Sequence, residues 1–306
     1  MLETTRVARL ARITSQALLS SLIALSLTAS VAEAKKSSSK KSSKSTKTEK
    51  QYKSPKRDSG TNEERAANCI HQGTNLLLFH KPQKALDEFN EALRLKPDFA
   101  LAYSNRANAH MILGKVSAAL ADCNKAISLD PNLAEAYVNR SWVFNTMRQY
   151  KKSVEDCNKA IELKPVILLA YTNRAHAYNK LGDHKAALAD CTKVISINPN
   201  LAAAYVNRSH TYIGMGEYKK AIEDANKALE LNPKSSKAYL NRGHALRELE
   251  EFDDALADFN KALSMHKGLA SAYFNRAKIY EQMAKIDMEK AKKLGFVAKT
   301  EDDEEE

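Results

Sequence analysis

AYTNRAHAYNKLGDHKAALADCTKVISINP, residues 170–199, decides the fold. Its Asn173-Arg174 belongs to a series, Asn105-Arg106, Asn139-Arg140, Asn173-Arg174, Asn207-Arg208, Asn241-Arg242 and Asn275-Arg276, that returns every 34 residues. Its Pro199 belongs to a second series in the same phase, with Pro97, Pro131, Pro165 and Pro233. Two markers sharing one period identify an array of a single supersecondary unit. In each unit a Tyr stands two residues before the Asn, a small residue follows the Arg, and apolar positions then recur at helical spacing. Gly114 interrupts that spacing, which predicts one helix over about 101–113 and another over about 117–129. Pro131 has no amide hydrogen to continue the second helix and ends the unit.

With Tyr171, Ala175, Ala187, Val194 and Pro199 at these offsets, the unit resembles the tetratricopeptide repeat, and the resemblance runs over residues 62–296. It implies an all-α fold, a right-handed α-solenoid of stacked helix-turn-helix units. Six repeats are read at 66–99, 100–133, 134–167, 168–201, 202–235 and 236–269. The first carries Cys69 in the aromatic slot and Gln72 in the Arg slot, and the sixth carries Lys267 in place of Pro. Atypical end units suit a stack whose two ends face water. Tyr273, Asn275, Arg276 and Ala277 open a seventh unit, yet no Gly or Pro occurs between Gly268 and Gly295. We therefore expect one long capping helix over 270–295. Its second half, 284–294, resembles a repeat's second helix with the turn deleted, and Gly295 suits its C-terminal cap.

The flanks differ in character. Arg6, Arg9 and Arg12 precede an apolar stretch over about 17–31 and then Ala32-Glu33-Ala34, the pattern of a secretory signal peptide (1–34) with cleavage after Ala34. The stretch is short beside the about 20 residues of a membrane span. The expectation is a bacterial exported protein, periplasmic or extracellular, with an uncleaved anchor as the alternative. Residues 35–61 form a Lys/Ser-rich linker too polar to build a core, and 297–306 an acidic tail; both are expected to be disordered. Of the overall net charge of +11, the signal segment carries +1, residues 35–60 carry +8 and residues 301–306 carry −6, which leaves +8 on residues 61–300. A Lys-rich arm binds phosphate polymers by counterion release, but export argues against nucleic acid. The arm is read either as attracted to an anionic membrane or wall polymer or as a soluble spacer.

The resemblance implies that first helices line a concave groove and that the Asn of each Asn-Arg pair faces it. Asn105, Asn139, Asn173, Asn207, Asn241 and Asn275 would then form a ladder similar to that in the repeat domain of O-linked N-acetylglucosamine transferase. A carboxamide can pair with both the C=O and the N–H of an extended peptide without reading its side chains. Helices about 8–10 Å apart and a strand rise of about 3.3 Å per residue would give roughly one Asn per three ligand residues. The alternative is that these Asn bond neighbouring backbone and hold the packing. Trp142, His176, His210 and His244 lie three residues after an Asn, on the same helical face. Trp142 either stacks on a ligand or covers apolar surface. The histidines, one per repeat, are too far apart to share one metal ion, so they read as polar lining or a pH-sensitive groove. Ile70, Ala67, Leu101, Ser104, Glu135 and Val138 stand where carboxylate-clamp members of the family place basic partners around Asn, which favours internal extended segments over chain termini as ligands.

An acidic series, Glu88, Asp122, Asp156, Asp190, Asp224 and Asp258, matches the Arg series and predicts interhelical ion pairs. Cys123, Cys157 and Cys191 repeat in a core-facing slot that holds Phe89, Ala225 and Phe259 elsewhere, at spacings too long for disulfides. There is no Gly-rich phosphate loop, GxSxG, HExxH or CxxC, and no cofactor is expected. The reading is a non-catalytic scaffold that binds other proteins or extended peptide segments. A surface-associated protein held by its basic arm, with the solenoid as spacer, is the alternative.

Overall fold

The computed structural model describes residues 60–296, which form thirteen α-helices and no strand. The expected signal peptide, nearly all of the linker and the acidic tail lie outside the described residues. The chain divides into two compact units, residues 60–207 and 208–296. The first holds α1 (Asn62–Leu78), α2 (Pro82–Leu95), α3 (Ala100–Ile112), α4 (Val116–Leu129), α5 (Ala134–Thr146), α6 (Tyr150–Leu163), α7 (Leu168–Leu181), α8 (His184–Ile197) and the start of α9 (Ala202–Gly214). The second holds the rest of α9, then α10 (Tyr218–Leu231), α11 (Ser236–Glu248), α12 (Phe252–Met265) and α13 (Ala270–Lys293). No described helix is long and apolar enough to cross a membrane.

Local chemistry sets the helix ends. Thr61 and Glu64 form a reciprocal capping box at α1, and Asp183 and Ser235 cap α8 and α11 through their side chains. The turn inside each hairpin needs one residue in the left-handed region. Gly114, Gly182 and Gly216 supply it at φ 75°, 83° and 74°, whereas His80, Arg148 and Glu250 adopt φ 56°, 59° and 63° at the same register despite carrying a Cβ. Between hairpins the two sequence series meet. The Tyr137, Tyr171 and Tyr205 hydroxyls donate to the carbonyls of Pro131, Pro165 and Pro199, six residues earlier, at 3.0–3.1 Å.

Each hairpin closes on a pair of complementary volumes. The residue after the Arg slot faces the residue sixteen positions later, on the second helix. A Cβ on Gly73 would stand 2.5 Å from the Phe89 ring, and one on Gly243 would stand 2.9 Å from the Phe259 ring. In the second, third and fourth repeats the first-helix residue is Ala107, Ser141 and Ala175, and Cys123, Cys157 and Cys191 fill the facing slot. Gly goes with Phe and Ala or Ser with Cys, except in the fifth repeat, where Ser209 faces Ala225 and its hydroxyl donates to the Ala221 carbonyl. All four cysteines are buried and none is in a disulfide, and burial pushes the Cys123 and Cys157 thiols up to about 12.

The last helix, α13, is continuous over 24 residues, as the absence of Gly and Pro predicts. It buries Ala272, Asn275 and Ile279 in the second unit, and its distal half is exposed.

Candidate functional site

The first helices of the first unit, α1, α3, α5 and α7, pack side by side, and the asparagines tie them together. Asn139 on α5 donates its amide hydrogens to the Ser104 carbonyl and hydroxyl on α3, at 2.9 and 3.0 Å. Asn173 on α7 repeats the arrangement one unit on, donating to the Val138 carbonyl at 3.3 Å and to Ser141 Oγ at 2.9 Å. Asn145, in the last turn of α5, donates back to the Asn173 carbonyl at 3.0 Å. At Asn139 and Asn173 the amide group is therefore anchored to the preceding helix; the two acceptors of Asn173 are themselves linked at 2.7 Å and share one of its hydrogens, and Asn173 is buried.

The rest of the rank varies. Asn105 Nδ2 is buried without a partner among the described residues, because Ile70 replaces the serine of the next repeat and the Ile70 carbonyl accepts from Thr74 Oγ1. Asn207 is half-buried and Asn241 buried. The Asn275 carboxamide is used at both ends, donating to the Ser271 carbonyl at 2.7 Å and accepting from Arg247 Nη1 at 2.5 Å.

Of the flanking residues, Trp142 is half-buried against the cluster containing Met111, Ala119, Cys123 and Val143. It covers apolar surface and keeps one edge accessible. His176 is exposed, with its ring edge-on to Tyr150 at 6.3 Å, and His210 is also exposed. His244 lies 3.5 Å from Glu248, but burial and then the neighbouring Arg247 hold its pKa below the ordinary value, so it is neutral at neutral pH. Among the described residues no group of three or more His, Cys, Asp or Glu is placed to hold a metal ion.

The arginines form a different system. Arg174 donates from Nε and Nη2 to the two Asp190 oxygens at 2.8 and 2.7 Å, and from Nη1 to Asn158 of the preceding hairpin at 2.6 Å. Its guanidinium lies 5.5 Å from the Tyr171 ring centroid. The bidentate pair recurs at Arg106–Asp122, Arg140–Asp156, Arg208–Asp224 and Arg242–Asp258. These bonds raise the pKa values of Arg106, Arg140, Arg174 and Arg242. Burial draws the Asp156 carboxyl upward, but two short bonds from Arg140 keep that pair ionised at neutral pH. Each Arg pairs sixteen residues downstream, so the two series are offset at the ends. Sixteen residues before Glu88 stands Gln72, and sixteen after Arg276 stands Lys292. One-to-one pairing is thus corrected to five pairs, and Arg276 Nε is buried without a partner among the described residues.

Sequence reasoning missed the third arm of this system. Asn90, Asn124, Asn158 and Asn226 each accept from the Arg sixteen residues later. Their own 34-residue recurrence was the available signal.

Models of the tetratricopeptide repeat match residues 100–133, 134–167, 169–201, 202–235 and 236–267, together more than half of the chain. The chain belongs to the tetratricopeptide repeat family. Its structure is similar to that of a tetratricopeptide repeat protein from Parabacteroides merdae, with a TM-score of 0.56 and 24% identity over 70% of this chain and 83% of that one. It is also similar to a chain of the APC/C hetero-tetramer Cut9-Hcn1, with a TM-score of 0.65 and 16% identity over 70% of this chain. That match spans 42% of the Cut9-Hcn1 chain, less than half its length. A third similarity is to Pseudomonas aeruginosa pilF, with a TM-score of 0.60 and 16% identity over 71% of this chain and 99% of that one. No curated protein sequence matches the chain. Proteins of this family generally bind other proteins or peptides and are generally non-catalytic.

Proposed function

We propose that the chain is a non-catalytic, exported scaffold whose first helices hold extended segments of partner proteins. The observation that carries this reading is the fixed state of Asn139 and Asn173. With their amide groups locked to the preceding helix, their oxygens are oriented in advance, so binding freezes no side-chain rotor. The ladder then presents these oxygens to N–H donors of the ligand backbone. Side chains of the same face, Trp142 and His176, supply the preference among sequences. At about 0.5–1.5 kcal/mol per hydrogen bond the oxygens alone give weak binding, so affinity rests on those flanking contacts.

The test uses a peptide selected from a random display library against the full chain, then methylated at one backbone nitrogen at a time. Loss of affinity at positions about three residues apart, with little effect between them, is the expected pattern. Indifference to methylation at every position would overturn the ladder. Export is checked separately by N-terminal sequencing of the protein recovered from the cell envelope. A start at Lys35 is expected, and an intact Met1 there would refute cleavage.

A further inference from the structure

A seat for a second helix is built on α13, and none of the described residues fills it. In α11, Arg242 pairs with Asp258 while Gly243 and Leu246 are buried against α12. The same register on α13 holds Arg276, Ala277 and Tyr280. There Ala277 is exposed, Tyr280 is 50% exposed, and Arg276 Nε is buried with no acceptor among the described residues.

The missing half is present in the same helix. Ala284-x-x-Asp287-Met288-x-x-Ala291 repeats the second-helix pattern of Ala187-x-x-Asp190-Cys191-x-x-Val194 and Ala255-x-x-Asp258-Phe259-x-x-Ala262. In a repeat the Asp stands sixteen residues after the Arg; here Asp287 stands eleven after Arg276, and the helix runs through without a turn. At about 1.5 Å rise per residue the two groups lie roughly 16 Å apart along one axis and cannot meet. At about 100° per residue, Arg276, Ala277, Tyr280, Ala284, Asp287 and Met288 fall within one stripe roughly 120° wide. Met288 is 71% exposed on that stripe. One helix therefore presents both an open seat and an unused occupant, side by side on one face.

We propose that a second copy of the chain completes the unit. Two α13 helices pair antiparallel about a two-fold axis that passes between Glu281 and Gln282, each acting as second helix to the other. Arg276 then meets Asp287 of the partner subunit, Met288 of the partner subunit covers Ala277, and symmetry makes each contact twice. The chemistry of both contacts is the one five hairpins of this chain already use.

Sedimentation equilibrium of the full chain tests the pairing. The wild type is expected to dimerise reversibly. Arg276→Asp and Asp287→Arg, made separately, are each expected to weaken association at least about tenfold, since a desolvated pair becomes a repulsion. The two single variants mixed together should form a heterodimer, and both changes in one chain should restore the homodimer. Circular dichroism confirms that each variant is helical, and Asp287→Arg lies in the exposed half of α13, where folding does not depend on it. A monomer at every concentration, a dimer unaffected by either reversal, or no rescue on mixing folded variants would each overturn the proposal. In the first case α13 is left to a helix of another protein or to the chain's own acidic tail.

Discussion

One methyl group separates two of the core solutions in this chain. Gly73 with Phe89 and Gly243 with Phe259 close the outer hairpins, whereas Ala107 with Cys123 and Ala175 with Cys191 close inner ones. Gly73→Ala drives a Cβ into the ring, and overpacking of this kind costs about 1–3 kcal/mol. Phe89→Cys alone leaves a cavity, at about 3 kcal/mol. Together they recreate the Ala/Cys pair of the next repeat, so thermal melting should show the double variant more stable than the Phe89→Cys single. A double variant no better than that single would refute volume pairing as the rule for this slot. Titration acts at the same scale. Burial lowers the pKa values of His110 and His244 below the ordinary value. Below that value, about 6.5, the unfolded chain binds protons that the folded chain refuses, so stability is full above it and falls as pH drops toward the folded-state values. His244→Gln should flatten that acid-side loss in melts across pH 5 to 7, and an unchanged slope would exclude His244 as a contributor.

At the scale of the hairpin, the Arg–Asp pair is a packing device whose removal strands a charge. The Asp190 side chain is 6% exposed, so Arg174→Gln leaves a buried carboxylate uncompensated, at about 3–5 kcal/mol. Replacing both partners, Arg174→Met with Asp190→Leu, should recover most of the loss. If the single variant melts like the parent but loses peptide binding, the arginine acts on ligand and not on packing. The turns offer the opposite sign. A residue with a Cβ in the left-handed region is strained by about 1–2 kcal/mol, of which the greater freedom of an unfolded glycine takes back about 0.5–1 kcal/mol. Arg148→Gly should therefore raise stability by up to about 1 kcal/mol, while Gly182→Arg should lower it.

Across the whole molecule, the features with a 34-residue period were legible before any coordinate. The expected helices over 101–113 and 117–129 fall within one residue of those observed at 100–112 and 116–129, because Gly114 and Pro131 act locally. The continuous α13 followed from the lack of a breaker. What escaped the sequence was the direction in which a side chain spends its bonds. Asn139 and Asn173 each donate to the backbone carbonyl thirty-five residues earlier, which carries no side-chain signal, and to a serine, Ser104 or Ser141, that stands at a different register in each case. Asn275 is occupied instead by Arg247, a residue unique to its repeat. The Arg–Asp offset was written in the spacing of sixteen, yet it becomes visible only once the hairpin shows which helix lies opposite.

The buried cysteines turn the first four repeats into a set of separate clocks. Cys69, Cys123, Cys157 and Cys191 sit one to a repeat, and with their thiols held out of water they react with an alkylating reagent only when their own hairpin opens. Mass-resolved labelling of the native protein would then read local opening repeat by repeat. Cys69, in the terminal unit, should label first, and Cys157, flanked by closed hairpins on both sides, should label among the last. Equal rates at all four would mean that the stack opens as one body.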